Sequence, residues 1–209
     1  MPSPSMTLPQ LIGEAASNLD NDRLGRLPLA VRRRLLVSLD GTGDGRDVAR
    51  LSRWRRTYLD ALCVRKGLPY WDLVFPDDRG PRAMLDLAFA SLDGAVGVKE
   101  AESRRNSFYV DAVENRRYTP GEQPALFVAH AAANTVLTAL SDPAGGEDDQ
   151  DADDEALDAE AYEPSYLIAS AFAGGLDRST IADVDARRAF WHWYLETAIA
   201  ETLAARPAA

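Results

Sequence analysis

Between Ala186 and Leu203 the chain reads ARRAFWHWYLETAIAETL, and a segment this aromatic leaves few folds open. Trp191, Tyr194, Leu195, Ala198, Ile199, Thr202 and Leu203 recur at three- and four-residue spacing, which on a helix of about 3.6 residues per turn makes one wide apolar stripe. Phe190 and Trp193 widen it. Burying one large ring gains roughly 1.5 to 3 kcal/mol over leaving it in water, so such a stripe demands neighbours on several sides. The segment is expected to be the core helix against which the others pack. Asp183 and Asp185 stand where they can cap its start, Thr180 and Asp183 have capping-box spacing, and Arg206 and Pro207 follow its end.

The remaining periodic stretches are also helical. Thr7–Asn18 places Leu8, Leu11, Ile12 and Ala15 on one face, and Pro28–Leu39 is apolar at Leu29, Val31, Leu35, Leu36 and Leu39, with the Arg32–Arg34 triplet expected mostly outward. Val48–Lys66 carries Leu51, Trp54, Tyr58, Leu62 and Cys63 on one side, and Gly67 is expected to stop it. Leu68–Asp78 then reads as an apolar connection holding one helical turn between two prolines. Further helices are expected at Pro81–Leu92, Lys99–Arg117, Pro124–Leu140 and Pro164–Ala173, the third of these nearly all small or aliphatic and so enclosed by others. No run of Val, Ile and Thr alternates with polar residues between tight turns. The expected fold is all-α: residues 1–209 as a single compact domain of about eight to ten helices, with an acidic loop over 142–163.

A chain of 209 residues buries enough surface for a core without staples. Cys63 is the only cysteine, which excludes an intramolecular disulfide and every multi-cysteine zinc motif. Met1–Gln10 has no basic segment leading into an apolar run, and no apolar stretch approaches the roughly 20 residues that span a bilayer, so a soluble cytoplasmic protein is expected. The net charge of −10 is unevenly placed. Ten acids and no Lys or Arg lie between Glu147 and Glu163, leaving 23 acids against 23 bases elsewhere. Such a segment repels nucleic acid and anionic lipid and attracts basic partners, unless it is simply a solvated loop.

Chemistry is sparsely signalled. Asp40, Thr42, Asp44 and Gly45 fall at positions one, three, five and six of a calcium loop, but Asp47 and Leu51 stand where an apolar residue and a bidentate Glu belong, so turn chemistry suffices there. His130 among alanines reads as a packed residue, and His192 with Glu196 as a surface contact at four-residue spacing. No phosphate-binding loop, dinucleotide fingerprint or nucleophile elbow occurs. The arginines, among them Arg53, Arg55 and Arg56, are interspersed with acids, and Met1–Val136 holds 19 bases against 17 acids, too weak a surplus for a phosphate-binding face.

Two stretches together resemble a known family. Arg53–Gly94, RWRRTYLDALCVRKGLPYWDLVFPDDRGPRAMLDLAFASLDG, and the closing RRAFWHWYLETAI, with AHAAANTV between them, are similar to the immunity protein 5 family of bacterial polymorphic toxin systems. The likeness covers roughly Arg53–Leu203, with a looser trace at Leu27–Leu39. It implies an all-helical, non-enzymatic protein that protects its producer by binding a toxin domain encoded beside it, with no cofactor and no transferable site. The aromatics that carry it, Trp54, Trp71, Phe190, Trp191 and Trp193, are read as core.

The functional expectation is a cytosolic antitoxin that binds its toxin stoichiometrically, with no nucleic-acid, membrane or small-molecule partner. A toxin that cuts or edits nucleic acid is basic, and Asp148, Asp149, Asp151, Asp153, Asp154 and Glu155 are the expected charged part of the interface. The rival readings are a helical adaptor for another partner and a metal-dependent hydrolase built from scattered carboxylates and His130.

Overall fold

The computed structural model describes residues 6–40, 45–141, 153–176 and 182–207. Helices run over Leu8–Asn21 (α1), Leu29–Leu39 (α2), Arg46–Val74 (α3), Gly80–Leu92 (α4), Val98–Tyr109 (α5), Gln123–Leu140 (α6), Pro164–Ala173 (α7), Val184–Trp193 (α8) and Ile199–Ala204 (α9). A π-turn at Tyr194–Ala198 joins α8 to α9 without leaving helical dihedrals, so the described residues form eight helical rods and no strand. A second π-turn, Val110–Glu114, extends α5. The all-α expectation holds, around one hydrophobic core.

Local chemistry explains most ends. Thr7 caps α1 through a capping box with Gln10, whose side chain accepts the Thr7 amide at 2.9 Å. Asp183 caps α8 by accepting the Ala186 amide at 2.8 Å. Its proposed box partner Thr180 lies outside the described residues, as do Thr42 and Asp44 of the calcium-like loop. Asp40 at that loop's edge instead receives both Arg56 Nε (3.1 Å) and Nη2 (2.5 Å). Gly174 ends α7 in the left-handed region, φ 74°, where a side chain would be strained.

The hub is α6, which touches α3, α4, α5 and α7. Ala125, Ala129, Ala131, Ala132 and Ala133 are all fully buried, and their small side chains let four neighbours approach one axis. The aromatic rod does not hold that position, contrary to expectation. It forms a wall, packing on α7, α1 and α3, with Phe190 5.4 Å from Phe172 and Trp191 5.4 Å from Tyr194, centroid to centroid. Large rings fill the gap between helices and so hold their axes apart, whereas a hub needs small residues on several faces. Trp54, Trp71, Phe190 and Trp191 are core as expected, and Trp193 is partly exposed.

Helix α3 also departs from expectation, running straight through Gly67 and Pro69 to Val74. Gly67 is a crossing point rather than a stop: a Cβ there would lie 2.8 Å from Ile168 Cδ1 on α7 and 3.1 Å from Val128 Cγ2 on α6. An interior proline costs about 3 kcal/mol. That cost is offset by what the final turn buries. Trp71 is wholly enclosed, its Nε1 donates to the Asp78 carbonyl at 2.7 Å, and the Tyr70 ring meets Phe172 edge-on at 5.2 Å.

Candidate partner-binding face

The face of interest lies where the acidic stretch meets the helical body. Its described part, residues 153–163, makes two short 3₁₀ turns, Asp154–Ala156 and Ala159–Ala161, with too few internal hydrogen bonds to hold a shape alone. Side chains from three helices strap it down. The principal strap is Arg32, whose position in α2 follows from spacing: it stands three residues after Leu29 and three before Leu35, on the buried stripe. The expectation that the Arg32–Arg34 triplet faces outward is therefore wrong for Arg32, which is fully buried.

Arg32 can lie there because every part of its guanidinium is met. Nη2 and Nη1 donate to Asp154 Oδ1 (2.5 Å) and Oδ2 (3.1 Å), Nε donates to Glu163 Oε2 (2.5 Å), and Nη1 also reaches the Leu27 carbonyl (2.6 Å). The Tyr166 and Trp191 rings each lie 5.5 Å from the guanidinium carbon. Burial works hardest against the charge, yet the Glu163 and Asp154 carboxylates outweigh it and hold the pKa above the ordinary arginine value.

Arg105 of α5 supplies the second strap. Its Nη1 donates to Glu160 Oε1 and its Nη2 to Asn134 Oδ1, each at 3.0 Å, while Asn134 Nδ2 donates to the Glu160 and Tyr162 carbonyls at 3.3 and 2.9 Å. Arg187 of α8 is buried near Asp154 and Arg32, 5.8 Å from the Tyr166 ring, and its Nε and Nη1 have no hydrogen-bond partner among the described residues. Burial lowers its pKa.

Of the six acids expected to meet a partner, Asp148, Asp149 and Asp151 lie outside the described residues. Asp153 is exposed, and Glu155 sits in the first 3₁₀ turn. Asp154 is buried against Arg32, which makes it an anchor of the strap. Sequence reasoning overlooked Arg32 and Arg105, although an arginine at three-residue spacing from leucines was the available signal for the first.

Beneath the strap, α3, α6 and residues 160–165 enclose a cleft of about 240 Å³. Ser141, the last described residue before the acidic stretch, lines it together with Glu160, Tyr162 and Glu163. Asp60 of α3 lies in its lining, largely buried, with one carboxyl oxygen accepting from Thr138 Oγ1 at 2.8 Å. Burial pushes the Asp60 pKa up to about 8.

Of the two histidines, one is packed inside, with its Nε2 buried and without a hydrogen-bond partner among the described residues, and one lies nearer the surface. His130 is enclosed by Tyr109, 5.2 Å away, and Tyr162, and burial pushes its pKa down to about 4, so it is neutral at pH 7. His192 Nε2 lies 2.8 Å from Asp20 on α1 and its Nδ1 3.6 Å from Glu196, a surface tie between helices. Among the described residues no three His, Cys, Asp or Glu side chains converge as a metal-binding group, and no helix is long and apolar enough to cross a membrane.

The described residues thus form an all-helical body with the end of the acidic stretch clamped to one face. The chain belongs to the family of the immunity protein Imm5, whose model matches residues 12–201. That match begins within α1, so α1 and α2, which carried only a loose sequence likeness, are part of the family's unit. Its members are immunity proteins, and a cognate toxin is the partner such a protein implies. The chain matches no curated protein.

Proposed function

We propose that this chain is a non-enzymatic antitoxin of the cytosol that neutralises a basic, nucleic-acid-targeting toxin by stoichiometric occlusion of its active site or substrate path. The charged part of the interface is the acidic stretch, with Asp148, Asp149, Asp151, Asp153 and Glu155 facing the toxin and Asp154 holding the strap in place. One observation carries the reading: the end of the acidic stretch is fixed by a fully buried arginine, which is a heavy structural commitment for a merely solubilising loop. A stretch of carboxylates anchored at its described end imitates a polyanion towards a cationic surface. About 800 Å² per partner is the area such a contact needs.

Speed of capture is the measurable consequence. Electrostatic steering raises association rates about 10- to 1000-fold at low salt and fades as the screening length shortens. Stopped-flow association with the toxin domain encoded beside this chain is expected to slow steeply as salt rises. Changing Asp148, Asp149, Asp151, Asp153 and Glu155 to their amides should flatten that dependence and leave the dissociation rate nearly unchanged. A flat profile for the unaltered protein contradicts steering and favours the adaptor reading, in which the stretch is only a solubilising loop.

A further inference from the structure

The cleft under the strap holds one group that the rest of the fold does not explain. Asp60 is 92% buried, since only 8% of it is exposed, and Thr138 occupies one of its two carboxyl oxygens. The other oxygen has no protein partner among the described residues. The charges around it are matched elsewhere: Glu163 to Arg32, Glu160 to Arg105 and Arg56 to Asp40. Arg53, two turns back along α3 and about 10.5 Å away along the axis, also lines the cleft, with its Nε buried and without a hydrogen-bond partner among the described residues. A carboxyl oxygen of a largely buried residue, without a protein partner in the lining of a cleft, is a place where a partner group can dock.

We infer that this cleft is the socket for one lysine side chain of the toxin, received with its ammonium on the free oxygen of Asp60. The inference rests on the reading of the chain as a toxin-binding protein. Its location supports it, because the chain enters the acidic stretch at Ser141 and leaves it at Glu160–Glu163, all lining the same cleft. A basic surface drawn to those acids arrives at the cleft mouth. Lysine suits the site better than arginine: a guanidinium fork seeks two coplanar acceptors, and Asp60 offers a single free oxygen.

Burial holds a proton on Asp60 near neutral pH, and the neighbours set the balance. Glu163 adds to the upward push, while Thr138 and Arg56 oppose it. On α6 the facing groups, Asn134 and Thr138, are uncharged, and the aromatic rod contributes Tyr194. Burial raises the Tyr194 phenol and the Cys63 thiol well above their ordinary values, so both stay neutral through the range of interest. Seating an ammonium therefore expels the Asp60 proton to solvent and leaves a carboxylate–ammonium pair. Binding then tightens as pH rises towards about 8 and levels off above it.

Calorimetric titration of the cognate toxin domain into the protein, Asp60→Asn and Ala161→Trp, at pH 6.5 and 8.5, tests this. Asn keeps an acceptor for Thr138 without a titrating proton, and Ala161 is exposed on the cleft rim, so Trp there plugs the socket without entering the core. Thermal melts confirm that both variants fold. The unaltered protein should gain about 10- to 30-fold more affinity between the two pH values than Asp60→Asn does. Ala161→Trp should bind more weakly at both, and one toxin Lys→Met change should abolish the extra gain. Equal pH dependence in the protein and Asp60→Asn, weakening with pH, or the absence of any such lysine overturns the socket while toxin binding stands. Failure of the unaltered protein to bind removes the toxin-binding reading itself, and the socket with it.

Discussion

Arg32→Met is expected to destabilise the protein by about 3 to 5 kcal/mol, the range measured when one partner of a buried ion pair is removed. The methionine matches the aliphatic stem but leaves the Asp154 and Glu163 carboxylates without the guanidinium that donates to both. It also gives up the contacts with Tyr166 and Trp191. The midpoint of urea unfolding reads the loss. Hydrogen exchange should rise across residues 153–163 before the helices open, because the strap has lost its principal anchor. Arg32→Met combined with Asp154→Asn and Glu163→Gln should recover part of the stability, since the two carboxylates that lost Arg32 are neutralised while the buried Arg187 keeps its charge, but not the protection of the strap. A change under about 1 kcal/mol in the single variant would show that the ion pair is not the clamp described here.

Trp71→Ala is expected to cost a comparable 3 to 5 kcal/mol, typical of deleting a buried aromatic. The ring is wholly enclosed, lies 4.7 Å from Phe75 and 5.1 Å from the Arg116 guanidinium, and gives its only N–H to the Asp78 carbonyl. Its removal should also be felt along the chain. The last turns of α3 contain Gly67, where α6 and α7 leave no room for a Cβ, and Pro69, a poor helix former tolerated where burial of Trp71 holds the turn in the core. Amides from residue 70 to 75 should therefore exchange faster relative to those from 54 to 64. At this chain length the melting temperature should fall by roughly 6 to 20 °C. Loss of stability with unchanged exchange in the last turns would mean that α3 is held there by something other than Trp71.

These two residues mark how far the sequence could be read. Elements whose ends are set by local chemistry were legible: Pro164 opens α7 and Gly174 closes it where expected, and Pro124 begins the small-residue run of α6. Gly67 and Pro69 were misread because they are local punctuation overruled by the fold: the first by a close crossing of α6 and α7, the second by burial of Trp71 two residues further on. The hub was misplaced for a related reason. Aromatic rings signal burial strongly but occupy the space between axes, whereas the alanines of α6, with a weaker signal each, permit four helices to meet. Arg32 looked solvated because it sits in a run of three arginines, and only its three-residue spacing from Leu29 and Leu35 marked it as buried. Of the candidate interface, the acids could be read directly, while the arginines that hold them, and Asp60 below, lie far from them in the chain and are brought close only by the fold.

The central claim is that this protein acts by occupying its toxin, one molecule on one. Titrating it into a fixed, micromolar amount of the cognate toxin and following residual toxin activity tests that directly. Activity should fall in a straight line and reach zero at one equivalent. Complete loss of activity well below one equivalent, with the toxin covalently altered, would contradict it.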